Sequence, residues 1–179
     1  MGENLMSLAS SKKLTLEHLN RLPRPELHQE FFNCCSSMAW VENLAKRRPF
    51  ESMIHLMDEA KKVWESLGER DWLEAFSGHP QIGDLSTLEK KYGSTSDWAT
   101  GEQSGVGVAR EEVLLELADY NKKYLKKFGF IFIVCATGKS AAEMLAMLKS
   151  RINNDNNEEM QIAADEQFKI TKIRLEKLL

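Results

Sequence analysis

The chain has 179 residues, a length that favours one domain with a single large core. Hydrophobic residues make up 42% and charged residues 28%, and a formal net charge of −3 lacks the basic excess that a nucleic-acid footprint needs. No apolar run approaches the roughly 20 residues of a membrane span, and no apolar signal-peptide core opens the chain. Residues 1–13 read as a loose tail, with the domain over 14–179. Thr15 can cap a short helix through Leu22, and Pro25 suits the first turn of a second helix that runs to Cys35. A third helix is expected over Met38–Arg47, closed by Pro49, with Ala45-Lys46-Arg47-Arg48 as its solvated basic end. Phe50–Leu67 carries Ile54, Met57, Ala60, Val63 and Trp64 at helical spacing. Arg70–Phe76 is another helix, ended by Ser77-Gly78, and residues 84–100 read as irregular apart from one helical turn near Leu88.

The longest helix is expected from about Gly101 to Lys127, since Val113, Leu117, Tyr120 and Tyr124 recur on one face. Phe128-Gly129 ends it. The run F-I-F-I-V-C-A, Phe130–Ala136, is too short for a full helix and β-branched enough for a strand, yet nothing else reads as a sheet partner. It is either a buried extended segment or the core of a helix. Helices follow over Ser140–Asn153 and Glu158–Leu179, with the polar tract Asn153–Asn157 as the turn between them. The expected fold class is all-α, a single-domain bundle of about eight helices. Cys34, Cys35 and Cys135 are odd in number and two are adjacent, which suggests free thiols in a reducing compartment.

Few residues stand out as chemistry. His18, His28 and His55 fall inside helices with ordinary neighbours. His79 differs: F-S-G-H-P-Q-I-G-D sets it after a helix stop and before Pro80, which restricts its backbone. It is either a stray turn histidine or one that the turn exists to aim. The spacing H-x4-D lacks the ligand count of a metal site, so no metal is expected. T-G-E-Q-S, Thr100–Ser104, matches a capping box. Glu102 and Gln103 there either complement the helix dipole or form a polar platform for a small heterocycle. Arg174, placed at about 100° per residue, falls among Ala163, Gln167, Ile170 and Leu178 on the inward side of the last helix. A guanidinium there needs a partner, with an internal carboxylate as the first expectation and an anionic ligand as the second.

Taken together and in order, G-H-P-Q-I-G-D, the E-Q-S helix start, F-G-F-I-F-I-V-C-A and the terminal K-I-x-x-I-R-L resemble the 2-oxo-4-hydroxy-4-carboxy-5-ureidoimidazoline (OHCU) decarboxylase family. Arg48-Pro49-Phe50 is similar to that family's R-P-F. The run D-W-L-E-A-F-S-x-H-P-Q-I-G resembles the plant form, whose domain is the front half of a bifunctional allantoin synthase with a transthyretin-like hydroxyisourate hydrolase behind it. The resemblance spans residues 15–179. It implies an all-helical homodimer, a small-molecule substrate (OHCU), and a fused or separate hydrolase domain as partner. The reaction implied is decarboxylation to (S)-allantoin in urate degradation, without a cofactor. By the same resemblance His79 is the catalytic general acid/base, Glu102 and Arg174 are catalytic, and Pro80, Gln103, Phe132, Ile133 and Arg174 bind substrate. Ala99 departs from members that carry Ser there, and Thr100 is the residue that could take over its capping role.

The competing reading is a non-catalytic helical module that offers its apolar faces to a partner protein. A pure scaffold has no need of His79, Glu102, Gln103 and Arg174 together. A metal-dependent hydrolase needs more ligands than these histidines supply. The pathway implies a peroxisome, with the cytoplasm as the alternative: the chain ends in K-L-L rather than S-K-L, and Arg21-Leu22-x5-His28-Gln29 is a near miss to the amino-terminal peroxisomal signal.

Overall fold

The computed structural model describes residues 13–80, Leu88 and 105–179, with the backbone alone over 105–110. Among these residues lie eight helices and no strand, so the fold is all-α. The helices are α1 (Leu16–Arg21), α2 (Arg24–Cys34), α3 (Met38–Ala45), α4 (Met53–Glu65), α5 (Glu69–Ser77), α6 (Gly105–Phe128), α7 (Ala141–Arg151) and α8 (Asn156–Leu178). The expectations of irregular chain over 84–100 and of a helix start at Gly101 lie outside the described residues, except Leu88, which is helical and buried.

Side-chain oxygens start most of these helices. Thr15, Ser37, Ser52 and Asp155 each accept a first-turn backbone N–H, and Ser140 with Glu143 forms a complete capping box. Pro25 stands in the first turn of α2, where its missing N–H leaves no bond unmade. Helix α3 stops at Ala45 rather than Arg47, and Lys46 and Arg47 turn the chain into a cis Arg48–Pro49 bond. Arg48 Nη1 then donates to the carbonyls of Asn20 (3.3 Å) and Leu22 (2.7 Å), at the end of α1. Asn20 pairs with both backbone groups of Phe50, each at 2.8 Å. The R-P-F motif is therefore a lock between α1 and the entry to α4.

Helix α8 is the central element. It packs on α2, α4 and α5, and Ala163, Ala164, Gln167, Thr171 and Leu175 are buried along it. The alanines allow close approach, and Trp64 of α4 donates its indole N–H to the Ala164 carbonyl at 3.1 Å. Trp40 of α3 makes the same kind of bond to Ala60 of α4, also at 3.1 Å. Cys34 and Cys35 are free and buried, and burial pushes their thiols up to about 12 and about 11. Both stay protonated at neutral pH and fill core space.

The run Phe130–Ala136 is not the core of a helix: a bend at Phe130 leads into irregular chain over 131–136. It leaves α6 through Gly129, whose φ of +79° is a glycine conformation. Side chains do the work of the missing sheet partner. Arg151 Nη1 donates to the Ile133 carbonyl at 2.8 Å, Glu166 Oε2 accepts the Cys135 N–H at 2.7 Å, and Lys139 Nζ reaches the Cys135 carbonyl at 2.8 Å. Arg151 is itself paired with Glu159, which has no exposed surface. Arg151 Nε donates to Glu159 Oε1 at 2.8 Å, the Tyr124 hydroxyl donates to the same oxygen, and Asn154 Nδ2 donates to Oε2 at 2.8 Å. Burial, then the Glu159 carboxylate, hold the Tyr124 hydroxyl protonated far above its ordinary range. The Tyr124 ring meets those of Phe128, Phe130 and Phe132 at centroid distances of 4.6, 5.7 and 5.2 Å.

A buried charge stripped of its partner is the costly case. Glu159→Ala, which leaves the Arg151 guanidinium buried and half-satisfied, is expected to lower the unfolding free energy by about 3–5 kcal/mol. Urea unfolding followed by circular dichroism measures this, and a loss below about 1 kcal/mol would contradict the role given to the pair.

Candidate active site

Helix α5 ends in the sequence Ser77-Gly78-His79-Pro80. The N–H of Gly78 bonds to the Ala75 carbonyl (3.2 Å) and that of His79 to the Phe76 carbonyl (3.1 Å), so the helix closes in a tight turn. Gly78 has φ −74°, which any residue can adopt. Its smallness answers a different need: a Cβ there would lie 2.2 Å from Ser36 Oγ and 2.5 Å from Ser36 Cβ. The turn is pressed against the α2–α3 connection, and His79 follows directly. The imidazole is half-buried, with Nε2 at 2.6 Å from Oε1 of Gln167 on α8. The turn thus aims the histidine inward.

His79, Pro80, Phe132, Ile133 and Arg174 all line one cavity of about 290 Å³. Three separate parts of the chain supply them: the end of α5, the non-helical run 130–136 and the last turns of α8. The remaining wall is mainly apolar, with Ile131, Val134, Ala136 and Ile170, and Asn121 of α6 adds an amide. Few polar groups on an apolar wall is the usual make-up of a small-molecule site. Glu102 and Gln103, with the T-G-E-Q-S helix start, lie outside the described residues.

The expected internal ion pair of Arg174 is not formed among the described residues. Arg174 Nη1 donates instead to the Cys34 carbonyl at 3.2 Å. A neutral acceptor orients the guanidinium without cancelling its charge. Arg151, by contrast, has its charge matched by Glu159. The cavity therefore keeps one cation whose charge no described carboxylate neutralises, which favours the anionic-ligand alternative for Arg174.

Several residues that build the site were not singled out from the sequence. The sequence presents Gln167 only as a helix neighbour of Arg174, seven residues, two helical turns, before it on the same face. A glutamine on an inward face needs a partner, and that requirement was the available signal. Asn121, Arg151, Glu159 and Glu166 carried no local pattern, because their partners lie on other elements. The other histidines behave as ordinary helix residues: His28 Nε2 is 3.4 Å from Arg24 Nε, and His55 Nδ1 accepts the Glu51 N–H at 3.1 Å.

Burial raises the Glu166 carboxyl, but the Lys169 ammonium and the Cys135 N–H outweigh it and hold the group below its usual range. A lowered folded-state pKa means stabilisation that is complete above the unfolded value, about 4.3, and is lost as pH falls through the lowered one. The stability gap between the native chain and Glu166→Gln is expected to be largest above about pH 5 and to close on further acidification, as read by urea unfolding across pH. Gly78→Ala is expected to cost about 1–3 kcal/mol through overpacking against Ser36, with a matching drop in thermal midpoint. An unchanged midpoint would mean that the turn is not held against Ser36.

A protein-family model described as OHCU decarboxylase matches residues 20–176. The chain is 38% identical over 146 residues to the uric acid degradation bifunctional protein TTL of Arabidopsis thaliana, covering 81% of this chain and 45% of that protein. The chain thus spans less than half the length of this bifunctional relative. It is 26% identical over 164 residues to the 2-oxo-4-hydroxy-4-carboxy-5-ureidoimidazoline decarboxylase of Haloferax volcanii, covering 91% of this chain and 95% of that one. A solved structure, the crystal structure of OHCU decarboxylase in the presence of (S)-allantoin, superposes with a TM-score of 0.65 at 39% identity, covering 83% of this chain and 96% of that chain. With a family match over most of its length and a helical frame shared with that structure, the chain belongs to the OHCU decarboxylase family.

Proposed function

We propose that this chain is a cofactor-free carboxy-lyase that converts 2-oxo-4-hydroxy-4-carboxy-5-ureidoimidazoline to (S)-allantoin and CO₂ in urate degradation. The observation that carries the reading is the cavity, where the imidazole of His79 and the guanidinium of Arg174, which pairs with no carboxylate among the described residues, meet a mainly apolar wall. Family membership supports it, as does a solved relative crystallised in the presence of the product.

The reaction consumes one proton and releases CO₂. The electron pair of the breaking C–C bond passes into the ring through its C=N group, whose nitrogen takes up the proton consumed, so the substrate is its own electron sink. What remains for the protein is positioning, proton transfer and charge stabilisation. His79 is the general acid/base: it takes the proton of the ring hydroxyl as the adjacent carboxylate leaves, and returns one to the ring carbon that bears the ureido group. Imidazole titrates in the range that allows both steps near neutral pH. Protonation from the His79 side alone sets the hand of the product.

Arg174 serves best on the ring oxygen that gains electron density. A guanidinium clamped on the departing carboxylate would stabilise the ground state, because that charge is lost in the transition state. Backbone groups of Phe132 and Ile133 hold the ureido arm, and Pro80 forms a wall. Glu102 and Gln103 are proposed, on the family resemblance, to accept and donate hydrogen bonds to the ring and ureido nitrogens. A homodimer, a peroxisomal location with the cytoplasm as alternative, and a hydroxyisourate hydrolase domain as partner complete the proposal. The bifunctional relative supports the last of these. Light scattering of the purified chain and imaging of a tagged full-length protein test the first two.

The decisive assay is chiral. Urate oxidase and hydroxyisourate hydrolase generate the substrate in place, and circular dichroism follows the allantoin formed. The native chain is expected to give a fast one-handed signal. His79→Asn is expected to lose about 100-fold or more in rate. Slow racemic product from the folded native chain would end the decarboxylase reading, and full turnover by His79→Asn would end the assignment of His79.

A further inference from the structure

We infer, resting on the decarboxylase reading and deepening it, that Asn121 is a substrate-binding residue whose side-chain carbonyl accepts a hydrogen bond from the ureido arm of the substrate. It sits on α6, on an element that supplies none of the site residues expected from the sequence within the described chain.

Asn121 is half-buried and lines the same cavity as His79 and Arg174. Its Nδ2 donates to the Leu117 carbonyl, one turn back on α6, at 2.9 Å. A carbonyl oxygen only accepts, so this bond decides which end of the amide is which. Oδ1 is the other end, and among the described residues it accepts no hydrogen bond. Asn121 thus brings to the cavity a neutral acceptor held in place by its own helix.

The ligand chemistry asks for such an acceptor. A terminal ureido group carries three N–H hydrogens and one carbonyl oxygen, so it needs more acceptors than donors. An N–H taken out of water without a partner is costly. Among the described side chains that line the cavity, only those of His79, Asn121 and Arg174 are polar. A guanidinium has no acceptor, and the imidazole is the proton-transfer group of the proposed reaction. Oδ1 of Asn121 is the acceptor that remains on this wall.

Placement selects the arm rather than the ring. His79 and Arg174 come from the ends of α5 and α8, which pack on each other, whereas Asn121 comes from α6, which packs on α7. One turn beyond Asn121, the Tyr124 ring meets that of Phe132 at 5.2 Å. Asn121 therefore belongs to the Phe132 side of the cavity, where the ureido arm is proposed to lie. An amide also suits an anionic substrate. A carboxylate at this position would draw on the Arg174 charge and repel the carboxylate of the substrate.

The test separates the arm from the ring. Calorimetric titration with (S)-allantoin reads binding without turnover, and hydantoin is the same ring without the arm. Asn121→Leu removes the amide and keeps a strong helix former. It is expected to bind allantoin about 10-fold more weakly, to bind hydantoin as the native chain does, and to raise KM about 10-fold at nearly constant kcat. Asn121→Asp keeps an acceptor, so it is expected to hold the neutral allantoin within about 3-fold of the native affinity while raising KM for the anionic substrate. Unchanged allantoin affinity and KM in folded Asn121→Leu overturn the inference. Equal losses for allantoin and hydantoin overturn it too, and so does an Asn121→Asp that holds allantoin no better than Asn121→Leu. Should Asn121→Leu not fold, Asn121→Ala carries the same comparison. If hydantoin is too weak to titrate, the two variants with allantoin decide, and if allantoin is, the KM of Asn121→Leu decides. A native chain without turnover fails the decarboxylase reading itself, which is a different outcome from a native chain that works and a variant that matches it.

Discussion

The buried pair of Arg151 and Glu159 is the interaction on which the rest of this structure depends. An all-helical bundle has no sheet to accept the backbone groups of a non-helical segment, yet one wall of the cavity is such a segment. Arg151 meets that need by donating to the Ile133 carbonyl while Glu159 and the Tyr124 hydroxyl close the charge behind it. Its guanidinium also lies 4.6 Å from the centre of the Phe132 ring. One cation thus sets the position of both residues of the wall that the family resemblance assigns to the substrate. Such a pair contributes little net stability over a well-packed apolar alternative. What it contributes here is a place for a chain that would otherwise have no partner.

Helix α8 carries this logic through the molecule. Near its start, Glu159 closes the Arg151 charge. Two turns later Glu166 accepts the Cys135 N–H, and the next residue, Gln167, meets His79. At its end Arg174 enters the cavity. The same helix buries its alanines against α4 and accepts the Trp64 indole. Stability and site geometry are therefore not separable along α8, since the surface that packs the bundle also aligns the polar groups.

The two inward arginines show how environment assigns a role to a residue type. Arg151 is closed in by a carboxylate, a phenol and an aromatic face, and its charge is spent inside the protein. Among the described residues Arg174 is oriented by the Cys34 carbonyl, and it lines the cavity. The adjacent thiols of Cys34 and Cys35 are protonated at neutral pH, so they add no anion to compete with a ligand.

By itself the sequence determined the local elements and the inventory of chemistry. Caps at Thr15, Ser37, Ser52, Ser140 and Asp155, the helical period and the breaks at glycine and proline are interactions within a few residues, so they can be read one dimension at a time. His79, Pro80, Phe132, Ile133 and Arg174 stood out because motif order and family likeness carry over along a chain. Tertiary structure alone decided the rest. That 130–136 is not the core of a helix cannot be read along the chain, because its backbone partners are side chains on α7, α8 and the loop before α7. The ion pair of Arg174 was expected on general cost and is absent among the described residues, because a neutral carbonyl 140 residues away orients it instead. Gln167 became visible only when a contact spanning 88 residues brought its amide to the imidazole. Such contacts are selected by packing in three dimensions, and no spacing along the chain encodes them.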